Sequence, residues 1–334
     1  MMSKENNKIH IDSCVFKVGD NSYCVWENDL KKRNLSFLQS INPSFYIYNL
    51  DLHSKNLDGD NKHNAALSIR LLYHHSVETL FTLIFSALQA PKCVYAWFQK
   101  SNSKILRELV LKVTNRDQSV FDVIGLKNIS WESISSKILL SDKKWTDNID
   151  EISKSHSNFL HNLSNDYLSD YDIKEYNSIK HGLRLKQGGF KFAIGPQKEL
   201  NQPAKPKDMK VIGESDFGSS FYSLNPIKNL DIKKYPHFQS RHYAINWNLD
   251  SLIKLVTLIA FSIENTISFL KIFNGEQEVN FKVPNDLEFY RMPWKDLSGV
   301  TQMNIDSDIT KKMIKLTTKK EITDKLKQVS ESRK

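Results

Sequence analysis

Two long stretches of apolar residues at helical spacing constrain the fold of this 334-residue chain more than any other feature. They run from about Asn64 to Ala90 and from about Asn248 to Phe273. In the first stretch, apolar side chains cover most of the helix circumference, which predicts a central and buried helix. Both stretches contain charged residues, among them Glu78 and Lys254, so we expect core helices and not membrane spans.

The scarcity of turn-forming residues also favours a helical protein. The chain has only 11 glycines and 9 prolines, whereas a β-sandwich or propeller needs many tight turns. Shorter helical patterns lie between the two long ones, near Val94–Lys100, Ser103–Asn115 and Trp131–Leu140, and from about Asp147 and Asp172 onward. The predicted fold class is therefore mainly α, a helical bundle.

Several short segments have the two-residue alternation of strands. Cys14–Val18 and Tyr23–Trp26 flank a turn and predict a hairpin, and Ser44–Tyr48 is a further candidate strand. Later in the chain Phe190–Ile194 alternates, and Phe217–Leu224 is compatible with a second strand. We therefore expect a small β-hairpin or arm insertion in the bundle, together with short N-terminal strands.

The predicted organisation follows from these patterns and from a basic tail. The segments are an N-terminal strand and loop segment (1–60), the first part of the bundle (61–187), a β-arm insertion (188–225), the completion of the bundle (226–300) and a basic C-terminal tail (301–334). From Asp306 onward the tail has nine Lys/Arg and five Asp/Glu and predicts a weakly amphipathic helix. Its thin apolar stripe favours a solvated helix, with docking on a partner as the alternative.

The charge and the cysteines suggest a partner and a compartment. A formal net charge of +9 and a pI near 9.1 favour nucleic acid or an anionic surface as a partner. The odd number and wide spacing of Cys14, Cys24 and Cys93 predict free thiols in a reducing compartment. The first residues lack an apolar signal core, so we expect a cytoplasmic protein with no membrane association.

One polar cluster lies on the predicted central helix. Arg70, His74 and Glu78 stand four residues apart and share a face, and His75 lies three residues before Glu78. An unpaired buried charge is costly, so this stripe must be paired or line a cavity. One hypothesis is an acid–base site with His74 or His75 as proton shuttle and Arg70 as anion ligand.

Three alternatives stay open for this cluster. It could be a solvated stripe, or a salt bridge between Arg70 and Glu78 through His74. It could also be the active site of a small-molecule or metal-dependent enzyme, formed by His74, His75 and Glu78. Di-metal bundles use paired Glu-x-x-His motifs, and this chain has a single reversed copy, so we predict neither a metal nor another cofactor.

A second polar cluster lies near the end of a shorter predicted helix. Asn177 and His181 are four residues apart, as are Lys180 and Arg184. This set suits an RNA phosphate, with Lys180 for charge, His181 for general acid–base work and Asn177 for orientation. We add Arg184 and Lys186 as candidate substrate-binding residues. The alternative is a capped helix whose His181 bonds a backbone carbonyl.

Two short matches resemble a known superfamily. The run Asn177-Ser-Ile-Lys-His-Gly resembles the end of the Arg-Asn-x-x-x-His motif of the HEPN superfamily, with Tyr176 where the family has arginine. The run Arg70-Leu-Leu-Tyr-His-His satisfies Arg-x4-His, with Leu71 where a polar residue usually follows. The resemblance implies an all-helical core, dimerisation across the site, and metal-independent RNA cleavage that leaves a cyclic phosphate, as in bacterial defence and toxin systems.

These observations lead to one function hypothesis and one alternative. We expect an RNA-binding or metal-independent ribonuclease-like protein that has a protein partner or forms a homodimer. The alternative is a non-catalytic interaction subunit whose polar stripe is structural, and the missing arginine before Asn177 favours it. The chain has no phosphate loop, no Gly-x-Gly-x-x-Gly, no Gly-x-Ser-x-Gly and no His-Glu-x-x-His, which argues against nucleotide-driven work.

Overall fold

The structure is a computed structural model that describes residues 11–141, 148–197, 202, 204–295 and 299–332. Within these ranges the helices are α1 (Leu30–Ser40), α2 (Ser44–Ser54), α3 (Lys62–Gln89), α4 (Val94–Lys100), α5 (Ser103–Thr114), α6 (Trp131–Leu139), α7 (Ile149–Leu168), α8 (Asp170–Lys180), α9 (Leu249–Phe273), α10 (Met292–Lys295) and α11 (Lys319–Glu331). The strands are β1 (Ile11–Val18), β2 (Asn21–Asn28), β3 (Lys186–Gln187), β4 (Lys191–Ile194), β5 (Lys210–Glu214), β6 (Gly218–Pro226), β7 (Phe238–Asn246) and β8 (Gln302–Asn304).

The predicted fold class, a mainly helical bundle, is wrong. The chain is 52% helical and 16% strand, with three small sheets of two, four and two strands, and is therefore mixed α/β. The prediction missed β7 and β8, which lie in or beside the segment expected to complete the bundle. β7 is paired on both sides, and its partner β8 begins 56 residues later. Local periodicity does not reveal pairing over such a separation.

The chain divides into two compact units. The first comprises Met1–Ile173 and Asn248–Leu297, and the second comprises Lys174–Trp247 and Ser298–Lys334. The division falls inside α8, so Asp172 belongs to the first unit and the end of that helix belongs to the second.

The two predicted core helices, α3 and α9, are confirmed and pack on each other in the first unit. Of the 28 residues of α3, 19 are buried, as its all-round apolar pattern predicts. Asn248 caps the start of α9, and beyond its end Gly275 adopts a φ of +86° that favours glycine. α9 is long and apolar enough to cross a membrane, but 72% of its apolar window is buried in the protein, as in a core helix.

The N-terminal hairpin is confirmed, and the candidate strand after it is wrong. β1 and β2 pair antiparallel around Gly19, and Phe16 and Val18 of β1 are buried. Ser44–Tyr48, predicted as a strand, is part of α2. Pro43 precedes this helix, where its missing amide hydrogen costs nothing, and the side chain of Asn42 accepts a hydrogen bond from the Ser44 amide.

Two predicted helix starts differ from the structure. Asn148 and Glu151 stand three residues apart, which is the spacing of a capping box, but Asn148 has a φ of +62° and makes no side-chain cap hydrogen bond. Asp147, where that helix was expected to begin, lies outside the described residues, as do residues 1–10 of the N-terminus. The helix expected from Asp306 begins only at Lys319, where Thr318 and Glu321 form a capping box.

The second unit is built on sheet structure. β3, β6, β7 and β8 form an antiparallel sheet in that order, and β4 pairs with β5 in a separate hairpin. The predicted strands at Phe190–Ile194 and Phe217–Leu224 are confirmed as β4 and β6. None of the residues of α11 is buried, in agreement with the solvated interpretation of the tail.

Candidate functional site

The polar stripe of α3 is partly buried in the first unit. Arg70 and His74 are each 7% exposed, and Arg70 forms an ion pair with Asp172 of α8. A nitrogen of His74 and a carboxylate oxygen of Asp172 lie within 4.8 Å of each other. A buried charge without a partner is costly, and the charge of Arg70 is indeed paired. The carboxylate that pairs with it comes from another helix.

A second carboxylate, Asp166 of α7, completes this polar centre. Burial raises the pKa of Asp166 to about 6, and the nearby carboxylate of Asp172 adds to the rise. Two groups lower the pKa of Asp166 and so oppose this rise. The Trp294 indole donates a hydrogen bond to Asp166 at 2.9 Å, and Arg70 adds a positive charge. The first unit therefore holds an acid that exchanges its proton close to neutral pH.

The other two residues predicted on α3 have separate surroundings. His75 is exposed, and its Nδ1 lies 3.4 Å from the hydroxyl of Tyr46. Glu78 accepts a hydrogen bond from Ser103 at 2.7 Å. Tyr167 lies near Glu78, and burial followed by the Glu78 charge raises the pKa of its phenol well above the usual range. Asp166 and Asp172, not His75, thus accompany Arg70 and His74.

The cluster at the end of α8 is exposed and belongs to the second unit. Asn177, Lys180, His181, Arg184 and Lys186 are all exposed. The helix ends at Lys180. His181 was predicted near the end of the helix, but it lies in the turn that follows. Gly182, with a φ of +108°, and a hydrogen bond from the Arg184 amide to the Ser178 carbonyl at 2.8 Å shape this turn.

Glu175, which the sequence did not indicate as a site residue, anchors this part of α8 to the sheet. It is fully buried, and its Oε1 accepts hydrogen bonds from the hydroxyl of Ser219 on β6 and from the Trp247 indole at 2.8 Å. On the same helix, Lys174 donates to the hydroxyl of Tyr243 on β7 at 2.7 Å. These bonds fix the helix whose last turn and following segment carry the exposed cluster.

A groove of about 660 Å³ lies elsewhere in the second unit. It is lined from β6 and the residues after it, from β7, and from the segment that follows β8: Asn225, Pro226, Lys228, Asn229, Gln239, Arg241 and Asp308–Lys312. Arg241 forms an ion pair with Asp308, and Lys228 lies 3.6 Å from the same carboxylate. The Nε of Arg241 is buried and has no hydrogen-bond partner among the described residues.

The wall of this groove is held by one side chain. Gln239 of β7 donates to the Ser307 carbonyl and accepts from the Ile309 amide at 3.0 Å. Both bonds tie the segment after β8 to the sheet. The groove therefore combines a fixed wall, an arginine with an unused donor, and the lysines at 228, 311 and 312.

Positive charge is concentrated in the second unit. Its two segments contain 22 Lys/Arg and 11 Asp/Glu, a formal net charge of +11. The first unit contains 25 Lys/Arg and 27 Asp/Glu, a formal net charge of −2. The excess of positive charge is therefore confined to the second unit and is not spread over the whole protein surface.

The two polar clusters predicted from the sequence fall in different units. Arg70, His74, His75 and Glu78 belong to the first, whereas Asn177, Lys180, His181, Arg184 and Lys186 belong to the second. The signals that would have added Asp166 and Glu175 are weak in sequence, because both depend on tryptophans far along the chain.

Comparison with protein-family models, with curated proteins and with solved structures found no match.

Proposed function

We propose that this chain binds RNA through its second unit. The observation that carries the proposal is the partition of charge, +11 in the second unit against −2 in the first. Nucleic acid binding is driven largely by lysine and arginine contacts to phosphates and the release of counterions. A compact unit of 111 residues with this excess has the electrostatic character of such a surface.

Two features of the second unit could contact an RNA strand. Lys180 is the last residue of α8, Arg184 lies in the segment that follows, and Lys186 is on β3; all three cations are exposed. The groove beside Arg241 has a volume within the range of small-molecule and nucleotide sites. The exposed Lys228, Lys311 and Lys312 line this groove and can donate hydrogen bonds to phosphate oxygens.

The resemblance to the HEPN superfamily extends the proposal to cleavage. In a metal-independent reaction the RNA supplies its own nucleophile, the 2′-hydroxyl, which attacks the adjacent phosphorus. His181 would take the proton of that hydroxyl, and Lys180 and Arg184 would bind the phosphate oxygens. The bond from phosphorus to the 5′-oxygen breaks, the 5′-oxygen takes a proton from solvent, and a 2′,3′-cyclic phosphate remains. DNA, which lacks the 2′-hydroxyl, is not a substrate for this reaction.

A non-catalytic interaction protein is the second candidate, and one observation favours it. In the part of the chain that the structure describes, no side-chain hydrogen bond orients His181. A catalytic imidazole is usually held by a bond to its other ring nitrogen. In addition, Tyr176 stands where the family motif has arginine. On this alternative the exposed cluster binds RNA or a protein without cleaving it.

Matched charge variants test the binding proposal. The triple variant Lys180→Ala/Arg184→Ala/Lys186→Ala removes three positive charges from the second unit. The control Lys31→Ala/Lys32→Ala/Lys127→Ala removes three exposed charges from the first unit and gives the chain the same net charge. Fluorescence anisotropy with a labelled single-stranded RNA, over a series of salt concentrations, gives the affinity and its salt dependence.

We expect the α8 triple variant to bind roughly tenfold more weakly and to lower the slope of log affinity against log salt by about 2. The control should bind within about twofold of the wild type, because its charges lie outside the proposed surface. Equal losses in the two variants, or no binding by the wild type at low salt, would contradict the proposal.

A further inference from the structure

The first unit brings two cysteines together. The Sγ atoms of Cys14 and Cys93 lie 3.0 Å apart although the residues are 79 positions apart in sequence. An S–S bond is about 2.0 Å long, so a shift of roughly 1 Å would join them. Cys14 is partly exposed, and Cys93 is fully buried. Cys14 and Cys93 are therefore in contact in the fold, although their wide spacing in sequence predicted free thiols.

Local structure places each sulfur. Along β1, Cys14 alternates with Val15 and shares the inward face with the buried Phe16 and Val18. Cys93 directly precedes α4, after the Pro91–Lys92 turn that ends the α3 region. The contact thus joins the hairpin to the start of α4 within one compact unit.

The surroundings give the two thiols unequal roles. The hydrogen bond from Cys93 lowers the pKa of Cys14 to about 7, burial opposes this, and the charge of Lys92 supports it. The same hydrogen bond, together with burial, raises the pKa of Cys93. At neutral pH, Cys14 therefore has the greater thiolate character and is the nucleophile, and the buried Cys93 is a thiol in contact with it.

We propose that Cys14 and Cys93 form a reversible oxidation site that reacts with a low-molecular-weight disulfide such as glutathione disulfide. The site is independent of the proposed RNA binding, because it rests on residues of the first unit alone. Its product is a Cys14–Cys93 disulfide that fastens β1 to the start of α4.

The reaction proceeds by two thiol–disulfide exchanges. The Cys14 thiolate attacks one sulfur of glutathione disulfide, forms a mixed disulfide and releases one glutathione thiolate. Cys93 gives its proton to that thiolate and attacks Cys14 Sγ, releasing the second glutathione, which is protonated by solvent. The protein loses two electrons and two protons, and glutathione disulfide becomes two glutathione thiols.

Cys24 provides a control within the chain. It is exposed and lies on β2, opposite Val15 in the hairpin register. Exposure alone would make Cys24 the first thiol to react with glutathione disulfide. The proposal instead predicts that an intramolecular disulfide forms at the partly exposed Cys14 and leaves Cys24 outside it.

The test exposes the full-length protein to glutathione buffers of rising oxidised fraction and then blocks free thiols. Peptide mapping by mass spectrometry identifies the linked cysteines, and thermal unfolding reports the effect on stability. We expect a Cys14–Cys93 linked peptide that dithiothreitol removes, and a rise in Tm of roughly 5 °C because the bond closes a long loop. The variant Cys24→Ser should behave in the same way.

Cys93→Ser serves as a trap, with its folding checked by circular dichroism. We expect it to accumulate glutathione on Cys14, because the resolving thiol is absent. The proposal is overturned if the wild type carries glutathione on separate cysteines with no Cys14–Cys93 link, or if the linked peptide contains Cys24. The mapping of the wild type decides the matter even where Cys93→Ser fails to fold.

Discussion

Arg70 and Asp172 form an ion pair that joins α3 to α8 across 102 positions of sequence. The side chains are only 8% and 13% exposed, so water contributes little to the solvation of either charge. Arg70 also lies over the ring of Tyr73, with its guanidinium carbon 5.1 Å from the ring centroid. A buried pair of this kind does not by itself show net stabilisation, but each charge depends on the other.

Removing one partner should therefore be costly. We expect Arg70→Ala to lower the free energy of unfolding by about 3–5 kcal/mol, because Asp172 would be left buried without its counter-charge. Arg33→Ala breaks the exposed Arg33–Glu27 pair, whose arginine is 61% exposed, and should cost less than about 1 kcal/mol. Urea unfolding of both variants measures the difference. Equal small losses would show that Asp172 does not rely on Arg70.

Asp166→Asn should stabilise the protein, and more so at high pH. The folded pKa of Asp166, about 6, lies above its ordinary value of 3.8. Its contribution to stability is therefore fully present below pH 3.8 and is lost as the pH rises through 6. Asparagine keeps the acceptor for Trp294 and carries no charge.

The gain in unfolding free energy from Asp166→Asn should grow by about 1–2 kcal/mol between pH 5 and pH 8. Chemical denaturation of wild type and variant at several pH values measures this gain. A gain that is the same at pH 5 and pH 8 would contradict the raised pKa.

His156 should give the opposite pH dependence. It is fully buried, its ring nitrogens lie 2.8 Å from the Ser135 hydroxyl and 3.0 Å from the Ser262 hydroxyl, and burial lowers its pKa from 6.5 to about 4. The unfolded chain takes up a proton that the folded protein refuses between these values. Stability from this group is thus complete above pH 6.5 and is lost as the pH falls towards 4.

Between pH 6.5 and pH 4, His156 should lower the free energy of unfolding by about 3 kcal/mol. His156→Gln should remove this part of the pH dependence, whatever its effect on absolute stability, whereas Asp166→Asn should steepen the loss at low pH. Unfolding measurements from pH 7 to pH 4.5 compare the slopes. An unchanged slope in His156→Gln would mean that the imidazole becomes charged inside the fold.

The cleavage proposal makes a prediction about two histidines. With EDTA present, we expect the wild type to cleave a labelled RNA pool and His181→Ala to do so at least roughly a hundredfold more slowly, because the variant lacks the acid–base group. His75→Ala, which removes an exposed histidine of the first unit, should cleave at the wild-type rate. RNA affinity should change little in either variant. Binding without cleavage by the wild type would favour the non-catalytic alternative.

Local patterns predicted those elements whose cause is local. The apolar stretches of α3 and α9 are visible in sequence and are confirmed. Ser44–Tyr48 has the composition of a strand, but Pro43 directly before it suits the start of a helix, and the segment is helical. β7 was missed because its partners are determined by tertiary contacts and not by its own sequence.

The candidate site shows the same division. The spacing of Arg70 and His74 predicted a shared face that must be paired, but the paired carboxylate lies on α8. Asp166 accepts a hydrogen bond from Trp294, 128 positions away, and Glu175 accepts one from Trp247, 72 positions away. Burial and hydrogen bonding over such distances leave no periodic signal. The charge of +9 was visible in sequence, but its concentration in one unit required the division of the chain.

The most direct test of the central proposal, RNA binding by the second unit, is to map where bound RNA touches the protein. A photoreactive single-stranded RNA is bound at low salt, cross-linked, digested to single nucleotides and located on peptides by mass spectrometry. We predict adducts within 174–247 and 299–332, including peptides that contain His181 or Arg241. Adducts confined to 11–141 or 248–295 would contradict the account.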